Sequence, residues 1–258
     1  GGELGPAELC QKLARAGLGD LPVTVGEELS YPGQQVRRGT AGAFAEERFS
    51  PLSVLLAEPA PGVARRVPGF PDSWFLRGEA PMTKREVRAA ILARLDPRPG
   101  EKVLDLCAAP GGKSTQIAAL LGNTGLLWSN EIVRSRAGAL LSNLERMGAR
   151  NAVVSSCHPQ TLCEGLRGYF HRVLVDAPCS GEGMFRRDPA AAAQWTPESP
   201  AACAQRQRAI LDSAALAVKE GGVLTYSTCT FAKEENEDNV EWFLAAHPEF
   251  ELVPLDLP

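Results

Sequence analysis

A doubly wound α/β fold with a mostly parallel sheet is predicted for residues 83–258, behind a small N-terminal appendage over residues 1–82. Three observations predict it. Short apolar runs alternate with helical patterns from Glu101 onward, the Pro and Gly punctuation that breaks up the earlier chain gives way near residue 98, and 258 residues at 44% hydrophobic content supply one large core. Within the appendage a helical pattern covers about Pro6 to Ala16, a strand Leu21 to Val25 and an apolar run Leu52 to Leu56. The breaker-rich EPAPGVARRVPGFPDS then reads as a linker. A helix is predicted from Lys84 to Leu95, with Thr83 as N-cap and Val87, Ile91 and Leu95 on one face. Strands are predicted at Lys102 to Leu106, Gly125 to Asn130, Ala152 to Ser155, Arg172 to Asp176 and Val223 to Ser227. Helices are predicted at Lys113 to Leu121, Val133 to Met147, Pro200 to Val218 and Glu234 to Ala246. Ligands of such sheets sit beyond the carboxyl ends of the strands, so the residues after each strand are the candidates for chemistry.

Composition narrows the classes. No apolar run approaches the roughly 18 residues that span a bilayer, and GGELGPAELCQKLARAG lacks the layout of a secretion signal, so a soluble cytoplasmic protein without a membrane partner is expected. The seven cysteines (10, 107, 157, 163, 179, 203, 229) are odd in number and never paired as CxxC, which argues against a disulfide framework or a structural zinc site. His158, His171 and His247 show no metal-ligand spacing, so no metal is expected. A net charge of −4 argues against a generic nucleic-acid binder. Nine acidic residues and one Lys lie from Glu220 onward, however, leaving 26 basic against 22 acidic side chains before it and room for a basic face.

After the first strand comes DLCAAPGGKST, residues 105–115. Adjacent glycines between strand and helix let backbone approach a ligand closely, and the helix N-terminus favours an electron-rich group. Neither the phosphate loop nor the dinucleotide fingerprint fits, because Cys107 stands where each requires its first glycine. The second strand ends in Asn130-Glu131; an acid there suits a ribose or, equally well, a helix N-terminus. The fourth strand ends in DAPCSGEG, residues 176–183, and the fifth in YSTCT, residues 226–230. Two cysteines, each followed by a hydroxyl residue, converge on one crevice if those strands are neighbours; a buried inert thiol is the usual alternative for either alone. The arginines of MFRRDP, with Trp195 and the 203–208 segment, suit a nucleic-acid backbone and an unstacked base, or a solvated helix face.

Taken together, VLDLCAAPGGKSTQ, SNE, NLERMGARN, VLVDAPCSGEGMFRRDP and YSTCTF-x-x-EENE resemble the NOL1/NOP2/Sun family of RNA cytosine-5 methyltransferases, in particular its bacterial ribosomal RNA branch, over about residues 99–252. The resemblance implies a Rossmann-like methyltransferase fold, S-adenosylmethionine as methyl donor, and RNA as substrate, with the target cytosine single-stranded or flipped out. It implies Cys229 as the thiolate that adds to carbon 6 of cytosine, Cys179 as the group that assists proton removal or product release, Asp176 on the cytosine edge, and Lys113 orienting the site. For the donor it implies the backbone of Cys107, Ala108, Ala109, Pro110, Gly111, Gly112 and Lys113, Glu131 on the ribose, Arg136 near the carboxylate or adenosine, His158 where relatives place an acid against the adenine, and Asp176 bordering both ligands. By the same pattern the chain is expected to stop before the strand that follows the last helix, leaving the fifth strand as an open edge.

The first 97 residues differ. GLGDLPVTVGEELSYPGQQVRRGTA and FSPLSVLLAEP resemble the end of a cobalt-precorrin methyltransferase, and FLRGEAPMTKREVRAAIL the start of the decarboxylating precorrin methyltransferase fused behind it, with a junction near Pro97 to Gly100. The alternatives to an RNA methyltransferase are therefore a tetrapyrrole methyltransferase and a catalytically silent chimeric scaffold.

Overall fold

The computed structural model describes residues 4–58, 69–76, 82–186 and 189–254. The linker stretch 59–68, residues 77–81 and Arg187 of the arginine-rich segment lie outside the described residues. The chain divides into two units, Gly1–Arg65 and Arg66–Pro258.

In the first unit, helix α1 (Pro6–Leu13) continues as a wider turn over Ala14–Leu18, and strands β1 (Pro22–Glu27), β2 (Gln35–Thr40) and β3 (Ser53–Ala57) form an antiparallel sheet in the order β2-β1-β3. The short helix α2 (Ala41–Phe44) is capped by the Thr40 hydroxyl. Val23 and Val25, two apart on β1, share one face, where they pack with Cys10, Leu21, Ala41 and Phe44.

In the second unit, strands β4 (Lys102–Asp105), β5 (Leu126–Asn130), β6 (Ala152–Ser155), β7 (Phe170–Asp176) and β8 (Val218–Ser227) form one parallel sheet in the order β6-β5-β4-β7-β8. Helices α3 (Arg85–Leu95), α4 (Ser114–Leu121), α5 (Arg134–Arg146), α6 (Pro159–Gly165), α7 (Pro189–Gln194), α8 (Ser199–Ala217) and α9 (Glu237–Ala246) complete it. Both sheet faces are apolar, as a parallel sheet between helices requires. Val103 and Leu174 face Ile117, Leu121, Leu140 and Leu144, whereas Leu104, Val173 and Val175 face Phe170, Ile210 and Ala214. The chain leaves β4 for β5 on one side and returns to β7 on the other, which opens a crevice at the carboxyl ends of β4 and β7. Strand β8 is the last of the order, and it begins five residues earlier than the apolar run alone suggests, with a register shift opposite Phe170 and Arg172.

Helix α3 departs from its predicted face. Val87 is half exposed, and the buried positions are Arg88, Leu92 and Leu95. The two terminal nitrogens of the Arg88 guanidinium donate to Asp72 Oδ1 at 2.7 Å and to the carbonyls of Thr83 and Phe70 at 2.5 and 2.6 Å, while Nε has no partner, so a charged side chain takes the place the periodicity reserves for an apolar one. Thr83 does not cap the helix: the N-cap is Lys84, without a side-chain cap, and the Thr83 hydroxyl has another partner, described below. Residues 70–76, which the sequence reading groups with the appendage, are bonded to the second unit: Asn143 donates to the Leu76 carbonyl at 2.8 Å and accepts from its N–H at 2.9 Å.

Candidate active site

Asp176 on β7 and Ser227 on β8 are paired in register, so the loops that leave them run side by side. This brings the two cysteines singled out in the sequence together, with Cys179 Sγ and Cys229 Sγ 3.0 Å apart. The loops brace each other. Ser180 and Thr230 share a hydroxyl hydrogen bond of 2.9 Å, and Gly183 N–H donates to the Cys229 carbonyl at 2.9 Å. A Cβ on Gly183 would lie 2.7 Å from that carbonyl oxygen, so only glycine allows this approach. A carboxylate from each side completes the clasp. Glu182, in the Cys179 loop, accepts from Thr230 Oγ1 and Phe231 N–H, both at 3.0 Å. Glu235, beyond Cys229 and fully buried, accepts from Ser180 N–H at 3.0 Å and from Gln207 at 2.6 Å.

The clasp makes a stability prediction. Glu235→Leu leaves the Ser180 N–H and one N–H of the Gln207 amide, whose nitrogen also donates to the Pro178 carbonyl at 3.0 Å, without an acceptor, a loss of about 1–3 kcal/mol for each N–H. Glu235→Gln keeps one acceptor oxygen and should lose less. Urea denaturation of both variants checks this; equal losses would contradict the bracing.

The two thiols are not equivalent. The Cys229 thiol is held below the usual range, chiefly because Cys179 donates its S–H to it, with Lys113 adding in the same sense and burial and Asp176 opposing. The Cys179 thiol is pushed strongly up, first by that same hydrogen bond and then by burial. The Cys229 N–H, 3.2 Å from Cys179 Sγ, pulls the other way without reversing the order. Cys229 is also the more exposed of the two, so the more acidic thiol is the more accessible one.

Beneath the thiols, Lys113 forms an ion pair with Asp176 Oδ2 and donates to Thr83 Oγ1 at 2.8 Å, while Ser227 Oγ donates to Asp176 Oδ1 at 2.6 Å. Since Arg88 holds the Thr83 carbonyl, a chain of contacts runs from the buried guanidinium to the carboxylate beside the thiols.

The second cluster surrounds the turn 107–113. Gly111 has a φ of 103°, and its missing Cβ leaves room for Leu140, which a Cβ would meet at 3.1 Å. Asp105 is buried; its Oδ2 accepts from Ser114 Oγ at 2.7 Å, and its Oδ1 has no partner. Burial pushes its carboxyl up to about 6, with the Ser114 bond and Lys113 opposing. Glu131, 4% exposed, accepts from Val133 N–H at 2.9 Å and lies 3.6 Å from Arg136, whose other nitrogen donates to the Ala109 carbonyl at 3.3 Å. Asp176 and Glu131 each have a cationic partner and Asp105 keeps a free oxygen, so the turn suits a ligand that brings positive charge and N–H donors. Cys107 is only partly exposed, and burial pushes its thiol up, consistent with a lining rather than a reactive role. His158 is exposed at the N-cap of α6. Among the described residues no cluster of three or more His, Cys, Asp or Glu could hold a metal, and no helix is long and apolar enough to cross a membrane.

Residues 92–258 match the family described as 16S rRNA methyltransferase RsmB/F. The chain belongs to that family. It is 44% identical over 168 residues to the Ribosomal RNA small subunit methyltransferase F of Klebsiella pneumoniae, an alignment that covers 65% of this chain and 35% of the relative. The chain thus spans about a third of the length of the curated relatives it matches. Among solved structures, it resembles NSun6 from Pyrococcus horikoshii with SFG at 26% identity and a TM-score of 0.56, covering 83% of this chain and 53% of that one. It also resembles a methyltransferase homolog protein from Pyrococcus horikoshii at 26% identity and a TM-score of 0.58, covering 99% and 70%.

Four contributors escaped the sequence reading: Asp105, Ser227 and Glu235 within the RsmB/F match, and the Thr83 hydroxyl ahead of it. Asp105 was open to inference, because an acid at the carboxyl end of the strand before a glycine-rich turn stands where ligands of such sheets bind. Glu235 lies in the EENE run, and nothing in a string of acids tells which one is buried. The other two act through long-range contacts that sequence spacing does not encode.

Proposed function

We propose that this domain transfers a methyl group from S-adenosylmethionine to carbon 5 of a cytosine in RNA, with ribosomal RNA as the substrate class. The observation that carries the reading is the pair of unlike thiols at 3.0 Å beside an ion-paired Asp176. Carbon 5 of cytosine is a weak nucleophile, and a thiolate that adds to carbon 6 makes it enamine-like. Cys229 is the accessible, low-pKa sulfur suited to that addition. Asp176, ion-paired with Lys113 and oriented by Ser227, can accept from the exocyclic amine of the base and favour protonation of its ring. Cys179, neutral at physiological pH, lies next to the sulfur that must leave after the carbon 5 proton is lost, where its S–H stabilises the departing thiolate.

The donor site passes a test of fit. S-adenosylmethionine supplies an electrophilic methyl group on a sulfonium and carries an ammonium group, and the unpaired Oδ1 of Asp105 is a buried acceptor suited to such a cation. Glu131 would take the ribose hydroxyls, the backbone of residues 107–113 would line the donor, and Arg136 would border its carboxylate or adenosine. His158, where the adenine would lie by the family pattern, is exposed.

Incubation of the protein with unmodified ribosomal RNA and methyl-labelled S-adenosylmethionine is expected to place the label in 5-methylcytidine. Label on any other atom, or none from a protein that binds the donor calorimetrically, would overturn the reading.

A further inference from the structure

Phe231 is 83% exposed, more than any other large apolar side chain among the described residues, and it stands two residues beyond Cys229. Single exposed apolar residues are ordinary on protein surfaces, but here the backbone that carries the ring is pinned on both sides. Its own N–H donates to Glu182 Oε2 at 3.0 Å, the Ala232 N–H donates to Thr230 Oγ1 at 3.3 Å, and the Asn236 amide donates to the carbonyls of Thr230 and Ala232 at 3.3 and 2.8 Å. These bonds fix where the Cα–Cβ bond of Phe231 starts and points, so the ring moves only through its own side-chain torsions. An aromatic face is therefore held in water, at fixed backbone geometry, beside the sulfur that the proposed reaction uses.

We propose that Phe231 is a base-stacking residue, whose ring packs on the base of a nucleotide flanking the target cytosine. The inference rests on the RNA reading above and adds a substrate contact to it. A cytosine inside a stack cannot present carbon 6 to Cys229, so it must be turned out, and its neighbours then lose a stacking partner. An aromatic ring replaces that partner for any base, because every base has a π face. The braced backbone matters for the same reason: only the side-chain torsions of the ring, not the loop that carries it, must be ordered when the RNA arrives.

Steady-state methyl transfer to an unmodified 16S ribosomal RNA transcript tests this. Phe231→Ala is expected to raise the KM for RNA by about 5- to 150-fold, the range of one lost base stack. Phe231→Leu, which keeps apolar bulk without a π face, should resemble Phe231→Ala, whereas Phe231→Trp should stay within about threefold of the parent. The affinity for S-adenosylmethionine and the thermal midpoint should not change in any of the three. Parent-like KM values in the Ala and Leu variants, a loss confined to kcat, or full activity in Leu alone would remove the inference while leaving the RNA reading intact. A parent protein that methylates no RNA would remove both.

Discussion

Cys229→Ala is expected to abolish methyl transfer, by on the order of 10⁴-fold or more, as removal of a covalent nucleophile does elsewhere, while Cys179→Ala is expected to trap the protein on its RNA as a covalent adduct. The asymmetry follows from the two sulfurs' environments. Cys229 is accessible, and its anion is stabilised by the S–H of Cys179, so it can attack. Cys179 is held neutral by the same bond and by burial, so it is a poor nucleophile well placed to help the other sulfur leave. Denaturing gels of each variant with labelled RNA separate the roles, and an adduct that survives Cys229→Ala would exchange them. A second readout needs no RNA. Because Cys179 lowers the Cys229 pKa, the pH profile for alkylation of Cys229 by iodoacetamide should move to higher pH in Cys179→Ala; an unmoved profile would mean that the contact does not tune the thiol.

Much of this site was legible before any coordinates, and the reason is local. A parallel sheet repeats strand, turn and helix in one direction, so five apolar runs and their turns determine which residues crowd the carboxyl ends, and Lys113, Asp176, Cys179 and Cys229 meet there. What escaped depends on contacts distant in sequence. Arg88 occupies an apolar position on α3 because Asp72 and the Phe70 carbonyl reach it from a segment without regular periodicity, and the Thr83 carbonyl from just ahead of the helix. Strand β2, QVRRGT, shows no clear alternation of apolar residues, and its pairing with β1 rather than its composition makes it a strand. Glu235 is indistinguishable from its acidic neighbours until Gln207 and Ser180 are seen to close around it.

Asp105→Asn is expected to stabilise the protein and weaken donor binding at once, a conflict that separates a binding residue from a merely structural one. Burial raises the folded-state carboxyl from its ordinary 3.8 to about 6. Between those values the folded protein holds a proton that the unfolded chain has released, so stability falls as pH rises through that window, and the cost of roughly 3 kcal/mol is fully present above it. The amide removes the cost. Asp105→Asn should therefore gain up to about that amount at pH 7, provided it keeps the Ser114 bond, and lose most of the gain below about pH 4. Binding should move the other way. An ammonium group on the free Oδ1 is worth about 1.5–3 kcal/mol as a charged hydrogen bond, so S-adenosylmethionine affinity should drop roughly 10- to 150-fold at pH 7. The parent's affinity should itself fall as pH drops below about 6, approaching tenfold per unit, because the carboxyl must then release a proton to accept the cation. The variant has no such proton to lose, and its affinity should be flat from pH 5 to pH 7. Calorimetric titrations across that range, paired with urea denaturation, read both effects. A variant with the parent's affinity and pH slope would show that Asp105 serves the Ser114 contact alone and that the donor's cation is held elsewhere.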